Sequence, residues 1–108
     1  MSMAKIESQA ELDAVLASPA HLLFKHSYRC GISDRAHQQV EAYLADDPAV
    51  PVSLLDVVAQ RPLARGVAET IGVEHQSPQV ILLRDGKPVW HASQFDVTKE
   101  ALREAVAS

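Results

Sequence analysis

The stretch HLLFKHSYRCGIS, residues 21–33, holds the only cysteine of the 108-residue chain and decides how the rest is read. Residues 21–25 form a compact apolar run with polar flanks, the pattern of a strand buried on both faces. Beyond the cysteine, Ile32, Ala36, Val40 and Leu44 recur every four positions, while Asp34, Arg35, Gln38, Gln39 and Glu41 fill the other side. That spacing predicts an amphipathic helix beginning near Cys30. The thiol therefore falls at a strand-to-helix turn.

Working outward, Ser8 and Glu11 fit a capping box ahead of Leu12, Val15 and Leu16, a first short helix that Ser18-Pro19 interrupts. Asp46-Asp47-Pro48 ends the helix after Cys30, and residues 52–58 have the nearly continuous, β-branched hydrophobicity of a second central strand. Pro62 suits the first turn of a further helix with the stripe Leu63, Val67 and Ile71, and Gly72 suits its end. Residues 79–84 and 87–91 read as strands joined by Asp85-Gly86, a dipeptide that accepts the positive φ angles of a tight hairpin, with Pro88 favouring an edge. Asp96 or Thr98 then caps a last helix carrying Leu102 and Val106.

The order is a helix, then strand-helix-strand, then a crossover helix into a hairpin and a final helix. Right-handed crossovers make this an α/β protein with a central mixed four-stranded sheet flanked by helices. The arrangement matches the thioredoxin fold. One domain spans residues 1–108, with about residues 1–7 as an N-terminal tail.

Composition narrows the function classes. The chain is 47% apolar and 22% charged, ordinary for a globular protein. Its net charge of −4 and scattered basic residues do not resemble a phosphate-binding footprint, so nucleic acid is not expected as a partner. The apolar run at residues 79–83 is far too short to span a bilayer, and the first residues lack a signal-peptide apolar region, so no membrane role and a cytoplasmic location are expected. A single cysteine builds no internal disulfide, which suits a reducing compartment.

A cysteine at a helix start faces unpaired backbone N–H groups and the positive end of the helix dipole, which favour the thiolate. Lys25, His26 and Arg29 are nearby in sequence and can add positive potential. Ser33 stands where a CxxC protein keeps its second cysteine, so its hydroxyl can at most donate a hydrogen bond to the thiolate. The bland alternative makes Cys30 an inert small hydrophobe and Ser33 the N-cap of the helix. The histidines show no zinc-ligand spacing, and no metal site is expected. His26 either tunes the cysteine or is a hydrogen-bonded structural histidine at a strand end. Asp56 is either a buried carboxylate near the site or an exposed strand-end residue.

The segments FKHSYRCGIS (24–33), HQSPQVILLRDGKPVWHAS (75–93) and FDVT (95–98) together resemble the monothiol bacilliredoxins of the bacillithiol redox system. The resemblance implies a thiol–disulfide oxidoreductase with Cys30 as nucleophile and Ser33 as its motif partner. It also implies a cis-proline at Pro78, opposite the cysteine, and a substrate-facing backbone at Ser77. Arg29 and Gly31 complete the implied binding set. The co-substrate implied by the resemblance is bacillithiol, with no tightly bound cofactor, and the implied partners are S-bacillithiolated cytoplasmic proteins. The family usually has CPIS where this chain has Cys30, Gly31, Ile32 and Ser33. Gly31 also makes the motif similar to the CGFS of monothiol glutaredoxins, so an iron–sulfur cluster carrier is a second reading. The paired glycines and acidic residue with which glutaredoxins bind glutathione are absent after the last strand. A redox-inert thioredoxin-like interaction module is a third.

Overall fold

In the computed structural model, which describes residues 3–46 and 48–108, the chain runs β1 (Ala4–Lys5), α1 (Gln9–Ala17), β2 (Ala20–His26), α2 (Gly31–Leu44) and β3 (Val52–Asp56). It continues through α3 (Arg61–Ile71), β4 (Gln79–Arg84), β5 (Lys87–Ser93), a short 3-10 turn (Gln94–Asp96) and α4 (Lys99–Ala107). The strands form one mixed sheet in the order β1-β3-β2-β4-β5. Its centre follows from the apolar runs: Leu22, Leu23 and Phe24 are fully buried and need cover on both faces.

Alternation along the strands sorts the core into two layers. Leu22, Phe24, Leu54, Val80 and Leu82 face Ala36, Val40, Leu44 and Leu102, on the side covered by α2 and α4. Leu23, Leu55, Ile81 and Leu83 face Leu12, Val15, Ala64 and Val67, on the side covered by α1 and α3. Parallel β2 and β3 require the crossover through α2, whereas β4 runs antiparallel to β2 and turns straight into β5. At that turn Asp85 and Gly86 both have positive φ, 53° and 76°, and a Cβ on Gly86 would lie 2.6 Å from the Leu16 carbonyl oxygen. Only glycine satisfies both conditions.

The helix caps follow the sequence. Ser8 Oγ accepts from Glu11 N, Thr98 Oγ1 accepts from Ala101 N, and Gly72 closes α3 at φ 72°. The helix after Cys30 ends at Leu44 with Ala45 as its C-cap; of the residues expected to end it, Asp47 lies outside the described residues.

The expected four-stranded sheet has a fifth strand. Ala4 and Lys5 pair with Ser53 and Leu54 on the open edge of β3, Ile6 N donates to Leu54 O, and the buried Ile6 side chain anchors the segment. Part of the expected N-terminal tail thus belongs to the sheet. Met1 and Ser2 lie outside the described residues.

Lys25, expected as a polar flank of β2, is fully buried. It follows Leu23 on the face covered by α1 and α3, and after burial its positive charge is the next largest cause that lowers the pKa of His75. Its Nζ has no hydrogen-bond partner among the described residues. Desolvation pushes its pKa down to about 8. The unfolded chain holds this proton to about 10.5, so between the two values the unfolded state binds more protons and stability rises with pH. Replacing the cation with an apolar chain of similar length removes the penalty. Lys25→Met is expected to stabilise the fold by about 2–3 kcal/mol near neutral pH, with the gain shrinking as the pH rises through about 8 and clearly smaller at about pH 9. Urea denaturation at the two pH values checks this, and a destabilised variant at neutral pH would refute it.

Candidate active site

Register gathers the candidate residues at one end of the sheet. Lys25 is paired with Gln79, and Gln79 with Ser93. The segment leaving β2 toward Cys30, the Ser77-Pro78 segment entering β4 and Gln94 leaving β5 therefore emerge at the same end. The Ser77–Pro78 peptide is cis.

Cys30 is the N-cap of α2, half-buried, with extended backbone (φ −126°, ψ 124°). Its carbonyl accepts from Asp34 N, and no side chain among the described residues caps the helix. The sulfur therefore sits where the first turn of the helix has orphan N–H groups and the positive end of the dipole. Asp34 is the acidic residue of that turn.

Ser33 lies inside the first turn and is completely buried. Its Oγ accepts from Ser27 N at 3.0 Å and lies 2.7 Å from His26 Nδ1. Burial, the largest cause, and the nearby His37 lower the pKa of His26, against smaller opposing effects of Asp34, Asp56 and Ser33. With a neutral ring, the hydroxyl donates to Nδ1 while accepting from Ser27 N–H. This corrects two sequence expectations. Ser33 is not the N-cap of α2, and its hydroxyl is engaged by His26 and Ser27, with no hydrogen bond to the Cys30 sulfur among the described residues.

The positive groups divide as well. Lys25 turns to the α1 and α3 face, His26 is held toward the neutral form, and Arg29 is exposed. The Arg29 N–H donates to Ser27 Oγ at 3.3 Å. Tyr28 is 51% exposed and meets the edge of His26 at 4.3 Å between ring centroids. Its ring lies 5.7 Å from Lys5 Nζ, beside a groove of about 280 Å³ that His37 and Glu41 also line. Asp56 is half-buried, and its Oδ1 accepts from Val58 N and Ala59 N, so it shapes the turn into α3. Trp90 packs against the core on the α2 and α4 face. No three His, Cys, Asp or Glu side chains converge as a metal site among the described residues.

Sequence reasoning did not identify Gln94. It has φ 55°, donates through its backbone N–H to Pro78 O at 3.0 Å, and donates through Nε2 to Ser77 O at 3.1 Å. Nothing local marks it, because glutamine is not a residue selected for a left-handed backbone.

A free cysteine at the N-cap of a helix, at the same end of this mixed sheet as the Ser77-Pro78 segment, defines a thioredoxin-fold protein with a thiol redox role. Solved structures agree. One protein described as having a thioredoxin fold and a suggested oxidoreductase role is 27% identical with a TM-score of 0.89, over 96% of this chain and 93% of that one. A point mutant of thioredoxin from Halobacterium salinarum is 25% identical with a TM-score of 0.76, over 95% of this chain and 86% of that one. Thioredoxin from Trypanosoma brucei brucei, 16% identical with a TM-score of 0.79 over 99% of this chain and 93% of that one, shares the fold. The family model for "Monothiol bacilliredoxin BrxC" matches residues 4–102. The chain belongs to the monothiol bacilliredoxin family.

Two substitutions test this geometry. A Cβ on Gly31 would meet nothing within 4 Å, its φ is not positive, and it is the first residue of α2, where a missing N–H costs no helical bond. Cys30 already has the extended backbone required before proline. Gly31→Pro is therefore expected to raise stability by about 0.5–1 kcal/mol, measured by thermal or urea denaturation; a loss would show that the first turn needs glycine. Ser33→Ala strands Ser27 N–H and His26 Nδ1 in a buried setting and is expected to cost about 2 kcal/mol. A loss below about 0.5 kcal/mol in the same assay would mean that the Ser33 pairing contributes little.

Proposed function

We propose that this protein removes bacillithiol from S-bacillithiolated proteins in the cytoplasm by thiol–disulfide exchange at Cys30. The observation that carries this reading is the half-buried cysteine at the N-cap of α2, in a chain of the bacilliredoxin family. The Cys30 thiolate attacks the bacillithiol sulfur of a protein–S–S–bacillithiol adduct. The new bond joins Cys30 to bacillithiol, the old disulfide breaks, and the protein leaves as its thiolate. A second, external thiol then attacks the Cys30 adduct and restores the cysteine. Free bacillithiol in that role yields its symmetrical disulfide.

The binding set is Arg29, Gly31, Ser77 and Pro78 around Cys30. Bacillithiol is an anionic, malate-bearing thiol, and the helix N-terminus together with the exposed Arg29 supplies positive potential for it. Gly31 leaves the approach open, since apart from its chain neighbours and its own helix backbone no described atom lies within 4 Å of the position a Cβ would take. Ser33 contributes indirectly: its bonds to His26 and Ser27 fix the turn that presents Cys30. No cofactor is needed for this exchange. No helix among the described residues is long and apolar enough to cross a membrane.

Intact mass measured after mixing reduced protein with bacillithiol disulfide tests the reading, with glutathione disulfide and Cys30→Ser alongside. The expected result is rapid gain of one bacillithiol, faster than the glutathione adduct, reversed by free bacillithiol and lost in Cys30→Ser. No adduct with either disulfide, in protein whose cysteine remains reduced, would remove the exchange mechanism and bring the cluster carrier or the inert module forward.

A further inference from the structure

Gln94 stands at the end of the sheet that presents Cys30, and both its backbone and its side chain are committed to the segment facing it. Its N–H donates to Pro78 O at 3.0 Å and its Nε2 to Ser77 O at 3.1 Å, so one residue engages two consecutive carbonyls. To do this it keeps φ at 55°, a conformation that non-glycine residues rarely adopt. The next residue ties the same turn to the cysteine helix, because the Phe95 ring lies 5.8 Å from the Arg35 guanidinium of α2.

A disulfide partner has two different arms. A polypeptide arm beside Cys30 carries a backbone N–H and C=O at nearly every residue, and it docks most favourably by pairing them with backbone groups of the site. A small thiol brings no such ladder. Ser77 is half-buried, and the Gln94 carboxamide already holds its carbonyl. An incoming strand must share or displace that amide before it can pair.

We infer that Gln94 is a specificity-determining residue that disfavours an extended polypeptide beside Cys30 and so reserves that place for the small arm of a mixed disulfide. The inference rests on the exchange reaction proposed above and deepens it. Both sulfurs of a protein–S–S–small-thiol adduct are open to the Cys30 thiolate. Attack on the small thiol's sulfur places that thiol on Cys30 and expels the protein thiolate; attack on the protein sulfur does the reverse and traps the enzyme on its client. By making that place poor for polypeptide, Gln94 directs attack to the small thiol's sulfur and leaves the client sequence unread.

The test compares two disulfides that release the same coloured thiolate. One is the small aromatic disulfide 5,5′-dithiobis(2-nitrobenzoate). The other is an uncharged peptide whose cysteine is joined to one nitrothiobenzoate, the better leaving group, so that Cys30 must attack the peptide sulfur and bring the peptide beside it. Gln94→Gly removes the side chain and suits the positive φ, while Gln94→Met keeps the length and removes the donor without adding a charge. In both variants the ratio of the peptide rate to the small-disulfide rate is expected to rise about five-fold, the effect of freeing one hydrogen-bonding carbonyl. An unchanged or lower ratio in variants that retain the native circular dichroism spectrum would overturn the inference. Neither probe contains bacillithiol, so the ratio remains readable even if the protein forms no bacillithiol adduct.

Discussion

One buried hydroxyl, Ser33 Oγ, holds the end of β2 to the start of α2. It accepts the Ser27 N–H and meets His26 Nδ1, so the last strand residue, the first loop residue and the first turn of the helix are fixed relative to one another. Cys30 lies inside that closed path. Its position at the N-cap follows from geometry around it, since its own side chain makes no capping bond. The hydroxyl is fully buried, where an unmade hydrogen bond is costly, and the turn therefore has little freedom to relax.

The sheet supplies the rigid reference for this turn. The two core layers meet at β2, so its carboxyl end cannot shift without disturbing Phe24 on one face and Leu23 on the other. Lys25 shows how strongly the two-sided cover acts: a strand position between apolar faces buries even an ammonium group that has no hydrogen-bond partner among the described residues. The same end of the sheet carries the Ser77-Pro78 segment and Gln94, which hydrogen bonds join to each other.

Most of this architecture was legible in the sequence because it depends on local pattern. The run from Leu22 to Phe24, the four-residue spacing from Ile32 to Leu44, the Asp85-Gly86 turn and the caps at Ser8, Gly72 and Thr98 each report a local backbone preference. Two features were not legible because they depend on partners far away in the chain. Ala4 and Lys5 are exposed and form a strand only because β3 offers an open edge. Lys25 reads as a polar flank until β4 and the covering helices enclose it. The cysteine was legible by its place at a strand-to-helix turn. The role of Ser33 was not, because a serine three residues after a cysteine looks like a partner for sulfur, and only the fold shows its hydroxyl turned toward His26.

That orientation gives the one-thiol character of the motif a physical meaning. Position 33 is sealed from solvent and its oxygen is already engaged, so it offers no second reactive group when Cys30 carries a mixed disulfide. In the proposed reaction the attacking thiol that resolves this adduct must come from outside, through the half-exposed side of Cys30 and past the exposed Gly31 and Arg29. The wall formed by Ser77, Pro78 and Gln94 is then a boundary for two successive visitors, the adduct and the resolving thiol. With the Ser77 and Pro78 carbonyls already paired to Gln94, neither visitor is held there by a strand ladder, and the arms that sulfur chemistry itself must exchange stay free to leave.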